Sequence, residues 1–426
     1  MALMVNLILL VIFYLTFPLA IISITNKWAP LKKLGTIVLA YGFGLILGST
    51  GLIPKGSESY KMALLGRPAL PQQEIQLLLD NKTITPLDVT ANSIASLQDK
   101  LVTIAVLLAF PLLLFSLNIK RWLRFAKEGF VSMILALISV IAIVGSGYFF
   151  FKSVVPDCWK VAGMLVGVYT GGTPNLVALK VALGVDPNLF IMTSTYDMIV
   201  GAVTIIFFIT IGPRFFRAFL PPFKYNGSDE DNSQASAEAE SFEDFSGMLK
   251  KGVLFPLLKA FGISALILII SLAISMIFPK EAENVIVILS ITTLGIIASL
   301  FKWVNQIKKS FQLGMYLILV FSLAVSSMAD LAVIFSIGFL GLFMFVTWAY
   351  FGSLFLHMLL SKIFKVDADN FLITTTAFVF SPPFVPVVAG ALKNKDVIIT
   401  GITVGIIGYI IGNYLGVGLG YFLKGF

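Results

Sequence analysis

The sequence has very few of the side chains on which most enzymes and metal centres depend. Its 426 residues include one cysteine, Cys158, and one histidine, His357. A lone cysteine excludes an internal disulfide and a cysteine-rich metal site. A lone histidine excludes a histidine-ligated zinc centre and argues against a Ser-His-Asp hydrolase. No glycine-rich phosphate loop follows a strand-like segment, which argues against a nucleotide-driven pump. We therefore predict a protein that is not an enzyme and that needs no cofactor.

Charged residues are also scarce, because they make up 12% of the chain whereas 58% of its residues are hydrophobic. This composition excludes a soluble globular fold and indicates an integral membrane protein whose main partner is the lipid bilayer. The net charge of +8 is not a nucleic-acid signal. The basic residues lie in short loops between apolar runs, where such charges determine membrane topology.

Long apolar runs without strand-like alternation predict an all-α polytopic fold of about a dozen helices. Residues 54–98 are expected to form an extramembrane loop. Residues 213–250 are expected to form a flexible polar linker, because this segment holds too few apolar side chains to fold alone. The linker divides a first membrane repeat, 1–212, from a second, 251–426. The apolar runs lie at roughly 3–25, 34–53, 99–118, 129–151, 159–184, 188–212, 252–278, 284–301, 311–329, 331–360, 371–392 and 397–423.

The apolar run at 159–184 is interrupted at its centre by two glycines and a proline, which weaken a helix. We expect the helix to unwind at Gly171 and Gly172. Thr173 would then be the N-cap of a second half that begins at Pro174. Discontinuous helices form the binding sites of many secondary transporters, since irregular backbone at membrane depth must lie inside protein or beside water. The predicted substrate- or ion-binding residues here are Thr170, Gly171, Gly172, Thr173, Pro174 and Asn175.

A second interruption lies in the run at 371–392, at Ser381, Pro382 and Pro383, which we include in the predicted site. Ser381 can cap and Pro382 can open a half-helix in the same way. An Ala-Leu pair follows each interruption at an offset of 209 residues, whereas the expected caps are 208 apart, so the register stays open by one residue. Two interrupted segments in corresponding halves predict an internal duplication with a transport site.

The loop charges and the helix count disagree about how the two halves are oriented. Lysines and arginines place the loops near 27–33, 120–127, 302–309 and 362–365 in the cytoplasm, which makes the repeats inverted. Six simple crossings in each half would instead make them parallel. We give weight to the charges and expect one segment to be miscounted or not to cross fully, with 252–278 and the N-terminal helix as the candidates.

Asp197 is the strongest candidate for an ion site, because it lies near the middle of a membrane segment. An ionisable group there costs free energy, and the default interpretation is that it has a function. It follows the first interruption in sequence, so it can lie beside the unwound glycines as a Na⁺ or proton site. A structural carboxylate paired with a lysine or with hydroxyl groups is the alternative interpretation. Tyr196, its neighbour, is included in the predicted site. The positive ends of the half-helices favour an anionic group on the substrate.

Two further features concern single helices. His357, near the end of its apolar run, is interpreted as an interfacial residue rather than a proton relay. Glycines recur every four residues from 408 to 420 in the last helix, which predicts close packing against another helix.

The motifs GVYTGGTPN at 167–175, SPPFVPVVAGAL at 381–392 and GITVGIIGYIIGNYLG at 401–416, with Asp197, resemble the YjcL-like family of bacterial integral membrane proteins. That family is similar to the cation:proton antiporter and anion transporter superfamily, which includes sodium/proton antiporters and bile-acid-type sodium symporters. The resemblance implies inverted repeats, crossed broken helices in a core domain, a scaffold domain and elevator-like alternating access in a bacterial plasma membrane. Asp197 would correspond to the aspartate that follows the first broken helix in the antiporters.

The sequence departs from this pattern in two places. Ser381-Pro382-Pro383 stands where the second break of the family is glycine-rich, so the substrate is expected to differ. Tyr196-Asp197 supplies one carboxylate where the antiporters often place two charged residues, which argues against two-proton exchange.

We therefore predict an ion-coupled secondary active transporter, driven by Na⁺ or H⁺, of a small metabolite that is more plausibly anionic. A cation/proton antiporter is the first alternative, and a channel or membrane enzyme is a more distant one. We also expect a homodimer formed through the scaffold helices.

Overall fold

The computed structural model is helical, with no strand in the part of the chain that it describes. The described residues are 2–28, 31, 36–64, 69–116, 119–223, 244–328, 340–394 and 396–426. Most of the predicted linker, residues 224–243, lies outside them, and so do the side chains of the basic loop at 120–127.

The described helices, in chain order, follow the apolar runs closely. They are α1 Ala2–Lys27, α2 Thr36–Ser49, α3 Glu58–Leu64, α4 Gln72–Asp80, α5 Pro86–Phe115, α6 Ile119–Phe151, α7 Cys158–Ala182, α8 Pro187–Thr210, α9 Gly212–Phe219, α10 Lys251–Ser275, α11 Glu283–Ser299, α12 Lys302–Asn305, α13 Ser310–Met328, α14 Leu340–Ile363, α15 Ala368–Phe380, α16 Val385–Leu392 and α17 Val397–Lys424.

Eight of these helices are long and apolar enough to cross a bilayer, namely α1, α5, α6, α8, α10, α13, α14 and α17. Two more, α2 and α11, are apolar but shorter. The prediction of an all-α polytopic membrane protein is confirmed. The N-terminal helix and α10, which were suspected of not crossing, are both among the eight, whereas the two interrupted segments are not.

The described residues form two compact units. The first comprises Met1–Ala109, Val185–Met192 and Met315–Ile337. The second comprises Phe110–Gly184, Thr193–Gly314 and Gly338–Phe426.

In the first unit, three helices are joined by buried polar side chains. Gln98 Nε2 donates to Tyr14 Oη at 2.7 Å and to Ser327 Oγ at 2.9 Å, and the two hydroxyls are 2.6 Å apart. Polar groups buried among apolar helices must find partners within the protein, so this cluster fixes how α1, α5 and α13 pack.

The same unit contains a small cap built from α3, α4 and the start of α5. Tyr60 and Ile75 belong to its own hydrophobic cluster. Asn92 fixes the segment before α4, because its amide donates to the carbonyl oxygen of Leu70 at 3.1 Å and accepts from the Leu70 N–H at 2.7 Å. The chain is helical from Pro86 onward, so the last part of the segment expected as an extramembrane loop, 54–98, forms the start of α5.

Candidate functional site

The first interrupted segment, α7, turns back on itself instead of passing straight through. At Gly172 the backbone leaves the helical region, with φ 68° and ψ −164°. Lys160 Nζ donates to the carbonyl oxygen of Gly184 at 3.1 Å, and a Cβ added to Gly163 would lie 2.7 Å from Leu183 Cδ1. In a straight helix, residues so far apart in sequence would be separated by about 30 Å. The segment is therefore a helical hairpin, the first hairpin, with its tip at Gly172.

The second interrupted segment, formed by α15 and α16, is also a hairpin, the second hairpin. Its tip residue Ser381 has φ 73° and ψ 164°. Arg217 donates two hydrogen bonds of 2.9 Å to Asp369, at the start of α15, and a third to the carbonyl oxygen of Leu392, at the end of α16. Asn394 Nδ2 also donates to Asp369, at 2.9 Å. Both ends of the segment therefore meet at one place.

These hairpins correct the expectation of broken helices that cross the membrane. A glycine or proline marks where a helix stops, but the direction in which the chain resumes depends on what the next arm packs against. Here each second arm packs beside its own first arm, so each segment begins and ends at the same end of the second unit.

The two tips contact each other. A Cβ added to Gly172 would lie 3.3 Å from Ser381 Cβ and 3.7 Å from the Ser381 nitrogen. Helix α17 passes beside this contact: a Cβ on Gly405 would lie 2.8 Å from Pro382 Cγ, and one on Gly408 would lie 2.8 Å from the carbonyl carbon of Thr170. Both irregular turns are therefore held against one straight helix near its middle.

Helix α17 also shows that the hairpins enter from opposite ends of the second unit. Near its start, a Cβ on Gly401 would lie 2.8 Å from Ile373 Cγ1 of the second hairpin. Near its end, a Cβ on Gly416 would lie 2.7 Å from the carbonyl oxygen of Gly163 in the first hairpin. The prediction that the glycines of this helix allow close packing is confirmed, and the partners are both hairpins.

Thr170 and Asn175, on either side of the first tip, make hydrogen bonds within the protein that account for their polar side chains without a ligand. Thr170 Oγ1 donates to the carbonyl oxygen of Val166 at 2.7 Å, within its own arm. Asn175 Nδ2 donates to the carbonyl oxygen of Gly408 at 2.9 Å. The Asn175 Oδ1 atom is buried and has no hydrogen-bond partner among the described residues, so it is the one acceptor of this pair left for a ligand.

Gly171, Pro174 and Thr173 complete the first tip. Gly171 and Pro174 are buried, whereas Thr173 is half-buried. Because the non-helical residue is Gly172, it occupies the cap position expected for Thr173, and Thr173 is the first residue of the second arm.

At the second tip, Ser381 is half-buried and Pro382 is buried against α17. Pro383 lies in the short 3-10 turn Pro382–Phe384, and its side chain is outside the described residues. The structure therefore brings Gly172, Thr173 and Ser381 to one place, with two half-buried side chains in it.

Asp197 lies on α8 and interacts with two tyrosines that belong to other helices. Its half-buried carboxyl group interacts electrostatically with Tyr169, one turn before the first tip, and with Tyr350 on α14. The Tyr169 and Tyr350 rings pack edge to face, with centroids 5.3 Å apart. Both hydroxyl groups are buried: that of Tyr169 interacts with the Asp197 carboxyl group and that of Tyr350 with Thr204, although neither pair has close hydrogen-bond geometry. A carboxyl group and two hydroxyls without a close hydrogen bond thus meet beside the tip.

The face of α8 that carries Asp197 also reaches the second hairpin. Gly201 follows Asp197 by four residues, so it lies on the same face of the helix. A Cβ on Gly201 would lie 3.3 Å from Cε1 of Phe380, the residue before the second tip. Tyr196, by contrast, packs its ring edge to face against Phe343 of α14 at 5.2 Å, which explains its position by packing.

Residues 69–426 match the family described as "Protein of unknown function (DUF819)". The chain belongs to this family. A relative, "Uncharacterized membrane protein YjcL" of Bacillus subtilis (strain 168), is 26% identical over 329 residues, which cover 75% of this chain and 82% of the relative. The DUF819 match includes both hairpins and Asp197, so the resemblance to YjcL-like membrane proteins is confirmed.

One residue of this DUF819 protein was misread from its sequence. His357 is not interfacial, because its side chain is 2% exposed and α14 continues past it to Ile363. A pattern could have revealed this, since polar residues recur at intervals of three and four along one buried face of α14. They are Tyr350, Ser353, His357 and Ser361.

Proposed function

We propose that this DUF819 protein is an ion-coupled secondary active transporter that binds its solute and coupling ion where the two hairpin tips meet. The observation that carries the proposal is the contact between Gly172 and Ser381 beside the middle of α17. At each tip, the first arm ends with carbonyl oxygens free of helical partners, and at the first tip the second arm begins with N–H groups free of helical partners. The second arm of the second hairpin offers no such donors, because Pro382 and Pro383 carry no N–H and the Phe384 N–H donates to the carbonyl oxygen of Ser381 at 3.2 Å. Such a pair of tips offers ligands for a cation and an anion together.

In this proposal Asp197 couples the ion to the solute through charge. An anionic solute bound by the N–H groups that open the second arm of the first hairpin would be repelled by a nearby carboxylate. A Na⁺ ion or a proton on Asp197 removes that repulsion, so each ligand raises the affinity for the other, and the two are carried together. In the alternative, cation/proton antiport, the cation and the proton would compete for the same carboxylate.

The membrane topology that we infer has ten crossings and two re-entrant hairpins. The first half then crosses with α1, α2, α5, α6 and α8, and the second half with α10, α11, α13, α14 and α17. Five crossings in each half reverse the second half relative to the first, so the repeats are inverted. This count, unlike twelve crossings, puts all the basic loops identified in the sequence on one side, as the positive-inside rule requires.

The proposal also covers movement and assembly. The hairpins, Asp197 and α17 belong to the second unit, which would move as one body in elevator-like alternating access. The first unit would supply the scaffold helices of a homodimer. The protein would act in the plasma membrane of a bacterium, and it would be a transporter with no cofactor rather than an enzyme.

Uptake into proteoliposomes tests the proposal. The probes are radiolabelled acetate, succinate, aspartate and glutamate, each offered with an inward Na⁺ gradient, an inward proton gradient or neither. We expect gradient-driven uptake of at least one probe, and its loss to background in Asp197→Asn. Asp80→Asn is the matched control, because Asp80 is exposed on α4 and accepts only from Gln76 at 3.1 Å.

The other outcomes separate the alternatives. Uptake that ignores both gradients would indicate a channel. Na⁺-driven proton flux without any organic probe would indicate an antiporter. Coupled uptake that survives in Asp197→Asn would remove this residue from the mechanism.

A further inference from the structure

His357 lies in the interior of the second unit with polar partners on both sides of its ring. Nδ1 is 3.2 Å from Thr375 Oγ1 and Nε2 is 3.3 Å from Ser132 Oγ. The ring also packs against Phe371, with centroids 4.6 Å apart. Burying an ionisable side chain inside a membrane-spanning bundle costs free energy, and such residues are by default candidates for a functional role.

A small cavity lies beside this imidazole. Its volume is about 20 Å³, which is enough for one water molecule. Its polar lining comes from Tyr169, Tyr350, Ser353, His357 and Thr375. Two of these, Tyr169 and Tyr350, carry the buried hydroxyls that make no close hydrogen bond to a described residue. A water molecule in the cavity would give them a well-placed partner, since buried polar groups are nearly always paired with protein or with ordered water.

The cavity connects His357 to the proposed transport site. Tyr169 and Tyr350 line it, and both also interact electrostatically with Asp197. On the far side of the ring, Ser132 Oγ donates to the carbonyl oxygen of Asn370 at 3.3 Å, near the base of the second hairpin. The polar groups thus form a file from Asp197 to Ser132, which lies on the side of the ring that faces the cytoplasmic end of the second unit in the inferred topology.

We propose that the coupling ion is the proton and that His357 passes it between Asp197 and the cytoplasmic end of the second unit, through one water molecule in the cavity. This inference rests on the proposed transport function. It adds a second proton-carrying residue and selects the proton over Na⁺.

The transfer conserves protons at every step. The Asp197 carboxyl group gives a proton to a tyrosine hydroxyl, which gives its own to the cavity water. The water passes a proton to Nδ1 of His357, while Nε2 releases its proton to the Ser132 hydroxyl. Because Ser132 is fully buried, a second water molecule must accept the proton that Ser132 gives up and carry it to the cytoplasm. One proton has moved, each hydroxyl and the water are restored, and the imidazole has changed tautomer until a ring flip or the reverse transfer resets it.

Among the residues whose side chains the structure describes, the groups that face His357 carry no charge. They are Tyr350 and Ser353 on its own helix, Ser132 on α6, Thr375 and Phe371 on α15, and Tyr169 on the first hairpin. Asp369 adjoins Asn370 in sequence, but its carboxylate is held by Arg217 and Asn394. Asp197 is therefore the acidic group to which we expect the ring to respond.

Nuclear magnetic resonance on histidine labelled with ¹⁵N tests this response directly, because the chain has one histidine and a protein without a histidine tag gives one pair of ring signals. The samples are the full chain in lipid nanodiscs, as wild type, Asp197→Asn, Tyr350→Phe and Tyr60→Phe, recorded from about pH 5 to pH 8. We expect Asp197→Asn and Tyr350→Phe to change the ring nitrogen shifts or their pH dependence. Tyr60→Phe removes a hydroxyl in the first unit and should change neither. Identical ring signals in all four proteins would overturn the inference.

Transport supplies the second readout. In the uptake assay above, His357→Gln should reduce proton-driven uptake about a hundredfold, the effect typical of losing a positioned proton carrier. Tyr350→Phe should also reduce proton-driven uptake. This variant keeps the aromatic ring of residue 350, so it tests the proton path even if His357→Gln fails to fold. Full proton-driven uptake in both variants would contradict the role of His357 while leaving the transport function intact. A wild-type protein that transports none of the probes would count against the proposed function alone, because the ring signals report the link to Asp197 without transport.

Discussion

Gly172 and Ser381 have nearly the same backbone conformation and lie against each other at the tips of two hairpins. Their φ angles are 68° and 73°, and their ψ angles are −164° and 164°. Glycine adopts this region readily, whereas other residues pay strain to enter it. The two positions differ by 381 − 172 = 209, which is the offset of the Ala-Leu pairs and not the 208 expected from the caps. The backbone conformations of the two tips thus agree with the offset of the Ala-Leu pairs.

Replacing Gly172 with alanine should destabilise the protein by about 2–3 kcal/mol, because the new Cβ is strained at positive φ and meets Ser381. Gly145→Ala is the control, since a Cβ at this helical glycine of α6 meets nothing within 4 Å. That change should be neutral or stabilise the helix by up to about 1 kcal/mol. Thermal unfolding in detergent measures both. Equal unfolding temperatures for the two variants would mean that the tips do not touch.

Replacing Ser381 with glycine should raise stability by about 1 kcal/mol, because the strain of a serine in this region exceeds the entropy that glycine loses on folding. Ser381→Ala keeps the strain and removes the same hydroxyl, so it should give no such gain. A change in uptake that both variants share relative to wild type then reports the loss of the hydroxyl, because both of them lack it. A gain in Ser381→Ala as large as in Ser381→Gly would contradict the role of strain.

The cap of the first unit should resist high pH until Tyr60 ionises. Burial, reinforced by the charge of Asp88, raises the pKa of Tyr60 from 10.0 to about 12. The neutral phenol is favoured in the folded cap, so its contribution to stability is complete below pH 10 and is lost as the pH rises towards 12. The tyrosinate absorbance of wild type minus that of Tyr60→Phe should therefore titrate near pH 12. A difference that titrates near the ordinary value would show that the phenol is hydrated.

Labelling from one side of the membrane tests the re-entrant hairpins. In a Cys158→Ser background, single cysteines replace Lys365 and Lys393, which flank the second hairpin, and Lys152, which precedes the first; all three lysines are exposed. We expect an impermeant maleimide to label Lys152→Cys on intact cells and the other two variants only after permeabilisation. If Lys365→Cys and Lys393→Cys react from opposite sides, the segment between them crosses the membrane.

Much of the fold was predictable because it depends on local patterns. Apolar run length predicts helices in a bilayer, and glycine with proline marks the places where α7 and the segment 368–392 stop being helical. The basic loops also indicated an orientation, although they could not say which segments turn back on themselves. That answer depends on contacts such as Arg217 with both Asp369 and Leu392, which join distant parts of the chain.

The site was predictable only in part. Glycines, prolines and one intramembrane aspartate marked the tips and Asp197, but the partners of Asp197 did not follow from its neighbours in sequence. Tyr169 and Tyr350 carry no unusual local signal, and they meet the aspartate only because α7, α8 and α14 pack together. His357 was misread for the same reason, since its burial depends on Ser132 and Thr375 of other helices.

By itself, the sequence determined that the chain is a membrane protein of long helices with two interruptions and a single acidic group beside the first. Those features depend on the hydropathy of short windows and on the conformations open to glycine and proline. The tertiary structure decided that each interruption is a reversal, that the two reversals meet, and which side chains surround Asp197. The reason is physical. A contact such as that between Asn175 and Gly408, 233 residues apart, costs chain entropy, and the packing of the whole fold is needed to offset this cost.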